Sequence, residues 1–373
     1  MRPSPPDREA EGCFVVPVFL PHAGCPHRCV FCNQNTLARP SSGRPPAQDW
    51  RAAAVDFLRF RGTRRTRSEI AFYGGTFLGL PGQRLRELLA EAAALVREHR
   101  LDGIRFSTRP DSVSEATLAI VADYPVATIE LGVQSMSDAV LQESGRGHTA
   151  ADTEQAVALL QRRGYRVGLQ LMVGLPGDDD ERLAETGRRI AALAPDFIRS
   201  YPTLVLAGSE LEGRFRAGRY HPLSLERAVE LSAGLYRLFR ARRIPVARTG
   251  LQATRDLDPG GAVVAGPHHP AFGQLVQSAC FRAALFAALR QAPIAGASVR
   301  LLVHPRSLAR LRGHRGETVE RLKADFGWGR VAVGADESLP EDAVLLPGGR
   351  MVRVYESSGA ETPAGRRGLK DLS

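Results

Sequence analysis

From residue 14 to about residue 250, short apolar runs alternate with longer segments whose apolar residues recur at helical spacing. The runs read as strands at Phe14–Leu20, Glu69–Tyr73, Gly103–Ser107, Ala127–Val133, Arg166–Val173, Phe197–Leu206 and Val246–Leu251. The intervening helices read as Trp50–Phe60, Leu85–Val96, Ser114–Val121, Thr153–Arg163, Asp180–Leu193 and Leu225–Ala241, with Ser114 as an N-cap. A strand that is followed by a helix returns in the same direction, so repeated units of this kind predict a parallel sheet with helices outside it. Six or so units over ~240 residues predict an α/β fold closed partly or wholly into a barrel, with function at the C-terminal ends of the strands.

Beyond residue 250 the pattern changes. A Gly266-Pro-His268-His269-Pro loop precedes an apolar helix at Phe272–Arg290. Short strands at Val299–Val303, Arg330–Val333 and Met351–Val354 then surround a helix at Thr318–Phe326. The expected division is a polar tail over 1–13, a core domain over 14–250, a small α+β domain over 251–358 and a frayed tail over 359–373. No apolar run approaches the ~20 residues that span a bilayer. Met1–Glu11 is Pro-rich and charge-mixed, without a basic-then-apolar leader pattern. A cytoplasmic protein that does not engage membranes is the expectation. The net charge of +10 raises affinity for polyanions in general. Only Lys323 and Lys370 are lysines, however, and so strong an arginine bias reflects overall composition more than selected phosphate contacts.

Cysteine usage says more. Of five cysteines, Cys25, Cys29 and Cys32 fall within eight residues, spaced Cys-x3-Cys-x2-Cys. An odd count so distributed fits a reduced compartment and a metal site better than a disulfide framework. Thiolates suit iron–sulfur clusters, and three protein ligands on a four-iron cube leave one iron open for a substrate. The competing reading is a closed zinc site that adds His22 or His27 as the fourth ligand. Cys280 sits in an apolar helix pattern and reads as core; Cys13 takes no role.

The loop Cys25-x3-Cys29-x-Phe31-Cys32, placed after a first strand, resembles the signature of the radical S-adenosylmethionine (SAM) superfamily. The resemblance implies a partial (βα)6 TIM-type barrel, a [4Fe–4S] cluster on Cys25, Cys29 and Cys32, and SAM as cofactor. It also implies reductive cleavage of SAM to methionine and a 5′-deoxyadenosyl radical, with the electron coming from a donor such as flavodoxin or ferredoxin. Tyr73-Gly74-Gly75-Thr76 ends the second strand where the superfamily has a glycine-rich turn that lets backbone approach the cofactor. Glu130-Leu-Gly-Val-Gln134 and Arg146-Gly-His148 resemble the coproporphyrinogen-oxidase-like branch, where such a Gln meets the ribose and such an Arg the methionine carboxylate. Gln170 to Gly177 resembles the segment against which the nucleoside packs. The implied SAM contacts are therefore Phe19, Phe31, Gly74, Gly75, Thr76, Ser107, Gln134, Arg146 and Gln170. Two of these depart from the pattern: Gln170 replaces a common Asp and Ser107 a common Glu. Phe19 and Gln134 suit a core residue and a satisfied polar residue equally well.

Phe72 to Pro81, Ser107-Thr-Arg109-Pro-Asp111, Tyr201 to Leu211 and Gly218 to Ser224 resemble the radical domain of the Elongator catalytic subunit, which modifies the wobble uridine of tRNA. That likeness implies a tRNA nucleobase as substrate, with Arg109 and Tyr201 as candidate contacts. His268 and His269 join them as a histidine pair that either faces substrate or simply forms an exposed turn. The chain departs from that subunit in its closer first cysteine pair, and the residues after the barrel show no convincing coenzyme A loop, so acetyl chemistry is not expected of them. It is most similar to standalone bacterial Elongator-like radical proteins. Radical chemistry on a small metabolite such as a tetrapyrrole, and a non-catalytic iron–sulfur or zinc carrier, stay open as alternatives, as does the oligomeric state.

Overall fold

The computed structural model describes residues 13–34, 50–62, 67–251 and 261–356. The tails expected over 1–13 and 359–373, apart from Cys13, lie outside the described residues, as do Gln252 and Gly260.

Seven strands form one parallel sheet: β1 (Cys13–Phe19), β2 (Arg67–Tyr73), β3 (Gly103–Thr108), β4 (Val126–Gln134), β5 (Arg166–Val173), β6 (Phe197–Pro202) and, last in order, β8 (Val246–Thr249). Neighbours in space are neighbours in sequence, and every pair runs parallel. β1 and β8 are its edges, so the curled sheet is a partial barrel. The covering helices are α1 (Trp50–Leu58), α2 (Gly82–Glu98), α3 (Glu115–Val121), α4 (Asp138–Glu143), α5 (Ala150–Arg162), α6 (Asp180–Ala192), α7 (Glu210–Arg216) and α8 (Leu225–Ala241). Ser114 and Thr149 start α3 and α5 in reciprocal capping boxes, with Thr117 and Asp152 as the returning partners. Each strand end is thus handed to a helix start, which fixes where the functional loops lie.

The single strand expected over 197–206 is two. Pro202 has no N–H to extend the ladder, and the Thr203 N–H makes the last bond, to the Val173 carbonyl at 2.9 Å. The chain then turns away, and β7 (Val205–Leu206) pairs antiparallel with β9 (Val263–Ala265).

The C-terminal part comprises α9 (Phe272–Gln291), β10 (Ser298–Val303), α10 (Leu308–Arg312), α11 (Glu317–Phe326), β11 (Arg330–Ala335), β12 (Ala343–Leu345) and β13 (Met351–Arg353). Its sheet runs β11-β10-β12-β13, an α+β arrangement. One expectation fails here: α9 is a 20-residue helix apolar enough to cross a membrane by length and composition. Burial on two sides accounts for that composition. α9 packs on α8 and β8 and against α10 and β13, and Val276, Cys280, Phe281 and Leu285 are fully buried in a core that also contains Phe239 and Leu301.

Candidate functional site

At the C-terminal end of β1 the chain folds back on the turn that ends β2. The Leu20 N–H donates to the Tyr73 carbonyl, His22 N–H to that of Gly74, and Thr76 N–H to that of Ala23, each at 2.8 Å. Two glycines make this approach possible. A Cβ on Gly75 would stand 2.2 Å from the Ala23 oxygen, and one on Gly24, whose φ is +71°, would stand 2.2 Å from the Thr76 oxygen. On its other side the loop is pinned by Val30, whose N–H meets the Ser144 carbonyl at 3.1 Å and whose carbonyl accepts from Leu211 N–H at 2.8 Å. The backbone of the cysteine loop is therefore held by three separate segments: the turn at 73–76, Ser144 and Leu211.

The thiols share this loop. Cys25 Sγ lies 3.4 Å from Thr76 Oγ1, and Cys29 Sγ accepts from Arg146 Nη1 at 3.1 Å. Burial, then the nearby sulfurs of Cys29 and Cys25, push the Cys32 thiol up to about 12. Two sulfurs near enough to oppose the ionisation of Cys32 make with it a donor set that a cation would relieve. The flanking histidines are engaged elsewhere. His22 Nε2 accepts from the Gln34 N–H at 3.2 Å. His27 Nε2 faces the Arg146 carbonyl at 2.9 Å and Arg109 Nη1 at 2.6 Å.

Beside Cys29, β4 ends in a bulge between Gly132 and Gln134. Gln134 takes a left-handed φ of +68°, a conformation that a non-glycine residue holds only when its surroundings over-determine it. Its side chain and that of Arg146 converge on Gly132. A Cβ there would lie 3.0 Å from Gln134 Nε2 and 3.3 Å from Arg146 Nη2. Gln134 Oε1, Arg146 Nε and both ring nitrogens of His148 are buried without hydrogen-bond partners among the described residues. Burial, then the Arg146 charge, lowers the His148 pKa to about 4, so this ring is neutral near pH 7. Orphaned buried polar atoms are costly unless something else meets them. Here they gather at a strand end next to a thiol, as a cradle for a polar ligand.

Deeper in the barrel lies a network of charges. Glu130, fully buried on β4, accepts from Tyr73 Oη at 2.9 Å, Arg105 Nη1 at 3.2 Å and Gln170 Nε2 at 2.8 Å. Arg199 Nε lies 3.1 Å from Oε2, the oxygen that Gln170 also meets, as an ion pair. Arg105 also donates to Glu69 at 2.6 Å. Burial disfavours the Glu130 charge, but Arg199 and Arg105 outweigh it and hold the carboxyl below its ordinary range. The network joins five strands across the barrel interior, and it includes two of the expected cofactor contacts, since Gln170 Nε2 also donates to Ser107 Oγ at 3.1 Å.

The other expected residues disperse. Phe19 stands 44% exposed at the end of β1, its ring 6.2 Å from that of Tyr73. Phe31 packs in a side cluster with Val30, Val205, Leu211 and Tyr220. Arg109 is buried and paired with Asp111 through two bonds of 2.9 and 2.8 Å, so it steadies His27 in the cysteine loop. Tyr201 faces Arg199 from β6. His268 and His269 lie on the loop before α9, outside the cysteine loop and the segments bonded to it. Cys280 is core, its Sγ 3.6 Å from the Ala233 carbonyl. Sequence reading missed Glu69, Arg105 and Arg199; their alternation inside strand patterns was the available signal. His148 was named only as a neighbour of Arg146, and His27 only as a candidate fourth ligand of a zinc site.

Comparison with known proteins agrees with this geometry. The model for the radical SAM superfamily matches residues 19–190, and that for a radical SAM C-terminal domain matches residues 195–282. A tRNA uridine(34) acetyltransferase of Methanocaldococcus jannaschii is 29% identical over 266 residues, covering 61% of this chain and 49% of that protein. Protein YhcC of Escherichia coli is 29% identical over 222 residues, covering 55% of this chain and 69% of that one. The chain thus spans about half the length of the acetyltransferase relatives it matches. In structure, archaeal Elp3 of Methanocaldococcus infernus superposes with a TM-score of 0.57 at 23% identity, over 77% of this chain and 65% of that one, which shows a shared fold. By its sheet, its cysteine loop and both family matches, the chain belongs to the radical SAM superfamily.

Proposed function

We propose that this chain is an enzyme that carries a [4Fe–4S] cluster on Cys25, Cys29 and Cys32, binds SAM beside it, and modifies a nucleobase of tRNA. The observation that carries the reading is the meeting of three thiols with the orphaned polar atoms of Gln134, Arg146 and His148 at one end of a parallel sheet. A mononuclear zinc site is less well supported. Both candidate histidine ligands have ring nitrogens bonded elsewhere. Among the described residues, no three His, Cys, Asp or Glu side chains converge as ligands of one ion; in a cubane each thiolate takes a different iron, so its sulfurs stand further apart.

When bound, the cluster supplies the electron that splits the sulfonium–C5′ bond of SAM, releasing methionine and the 5′-deoxyadenosyl radical. The protein's part is to bind and orient. The zipped turn at Gly74–Thr76 offers main-chain groups close to the thiols. Gln134 presents an unpaired amide oxygen, and Arg146 an unpaired N–H, to the hydroxyl and carboxylate groups of a nucleoside-amino acid ligand. Ser107 and Gln170 sit deeper along β3 and β5, bonded to each other, with Gln170 held by Glu130. The tRNA reading is supported by the relatives named tRNA uridine(34) acetyltransferase. A small electron carrier such as flavodoxin or ferredoxin supplies the reductant, and the cytoplasm is the proposed compartment.

Two measurements test this. Anaerobically reconstituted protein with dithionite is expected to convert SAM to 5′-deoxyadenosine; no product from protein with full iron and sulfide would overturn the enzyme reading in favour of a carrier. Nucleoside mass spectrometry of tRNA from a deletion strain is expected to lose one modification. An unchanged profile points to a small metabolite instead.

A further inference from the structure

A cluster that the chemistry above does not use joins His268 and His269, near the end of the second family match, to a loop beyond both matches. The rings of His269 and His314 meet edge to face, with centroids 5.5 Å apart and planes at 83°. His314 belongs to Gly313-His314-Arg315-Gly316, which links α10 to α11. Gly313, Arg315 and Gly316 have φ of +76°, +52° and +80°, and His314 and Arg315 are exposed. The ten-residue α11 begins at the next residue, so its N-terminal dipole points into this loop. Thr318, on its first turn, is fully buried, and its hydroxyl has no partner among the described residues. That hydroxyl faces the loop: a Cβ on Gly313 would meet it at 2.7 Å. Glu317 does not repel an anion from here, because Arg282 and Arg321 hold its carboxylate at 3.1 and 2.8 Å.

The cluster stands at the open end of the barrel. Gly266, two residues before His268, packs on Thr203 and Leu204 just past β6, and Gly250, just past β8, packs on Phe272 at the start of α9. These are C-terminal strand ends, the same end that carries the cysteine loop. Burial, then the neighbouring His314 and His268, lowers the His269 pKa, which is consistent with three imidazoles sharing one spot.

We propose that the Gly313–Gly316 loop, with His268 and His269, is a binding site for the phosphodiester backbone of RNA. Two glycines between helices let a ligand approach the main chain, as in the Gly-x-x-Gly loops that clamp nucleic-acid backbones. Arg315 supplies a guanidinium that matches phosphate geometry, and the imidazoles add donors. The loop carries no amide or carboxylate side chain to read a base edge, and stacking by His314 or Arg315 tolerates any base, so binding follows charge and shape rather than sequence. The inference deepens the tRNA reading by naming where the RNA is held outside the barrel.

Fluorescence anisotropy of a labelled tRNA transcript with the full-length protein tests it, over a series of salt concentrations. His314→Ala/Arg315→Ala is expected to weaken binding roughly five- to ten-fold and to flatten the salt dependence by about one ion per lost contact. Arg188→Ala, an exposed arginine on α6 paired with Glu185, is expected to change binding less than about two-fold. Arg315→Lys is expected to retain the salt slope. Equal losses for the loop variant and Arg188→Ala, or no loss for either, would overturn the site, as would loop-variant defects seen only towards an acidic protein. Because binding is read directly, normal loop-dependent binding with an unchanged tRNA nucleoside profile would sink the modification reading while leaving the site.

Discussion

Arg146 donates through Nη1 to the Cys29 sulfur at 3.1 Å and through Nη2 to the Gly132 carbonyl. Its backbone carbonyl meets His27, which lies between the first two cysteines. One residue thereby ties the β4 bulge to the middle of the cysteine loop. A hydrogen bond to a ligating sulfur stabilises the more negative, reduced form of an iron–sulfur cluster and raises its potential. Arg146→Met is therefore expected to lower the midpoint potential while iron content stays near wild type. A redox titration followed by electron paramagnetic resonance checks this; an unmoved midpoint would leave Arg146 with ligand binding alone.

Removing a thiol tests the donor set. Cys29→Ala is expected to lose the brown absorbance and most of the iron, since two thiolates hold a cubane poorly. Iron and sulfide assays on the purified variant decide it. Wild-type iron content in that variant would contradict the ligand assignment.

Much of this was legible in the sequence because it is written locally. The strands Arg166–Val173 and the helix Leu225–Ala241 were read to the residue, as was the Ser114 cap, since apolar period and capping chemistry reside within a few neighbours. The thiol triad and the glycine turn were legible for the same reason. What was not legible depends on distant segments. Glu130 meets Tyr73 and Gln170 across 57 and 40 residues of sequence. Within β4 it looked like part of a motif and not the centre of an ion network. Ser107 and Gln170, read as departures from a cofactor-binding pattern, turn out to share a hydrogen bond with each other. The membrane-length helix α9 was missed because its apolar character comes from burial on both sides, which only the packing reveals.

The Glu130 network makes an acid-stability prediction. Its carboxyl is held below the ordinary range, so the stability it contributes is present above the unfolded-state value of about 4.3 and lost as pH falls through the folded value. Glu130→Ala, which strands two arginines, is expected to cost about 3–5 kcal/mol. Glu130→Gln keeps the shape but not the charge. The gap between wild type and Glu130→Gln in urea-unfolding midpoints is expected to be constant above about pH 5 and to narrow below it. A gap that does not change down to the lowest folded pH would mean that the charge contributes nothing.

His148 carries a linkage of the same sign in a higher window. The ring is buried beside Arg146, and its pKa falls from the ordinary histidine value of 6.5 to about 4. Between those values the unfolded chain binds the proton and the folded chain does not, so folding stability rises with pH through that window and is unaffected above it. At pH 5 the penalty is about 2 kcal/mol relative to pH 7.5, by the conversion of one pKa step to 1.36 kcal/mol. Glu130 is still ionised at pH 5, so the two groups separate along the pH axis. His148→Leu removes the titrating ring from a site that already lacks hydrogen-bond partners among the described residues. Its unfolding midpoint is therefore expected to drop less than that of wild type between pH 7.5 and pH 5. Parallel losses in the two proteins over that interval would show that His148 titrates normally in the fold, and that its neutral ring is not a fixed part of the site beside Arg146.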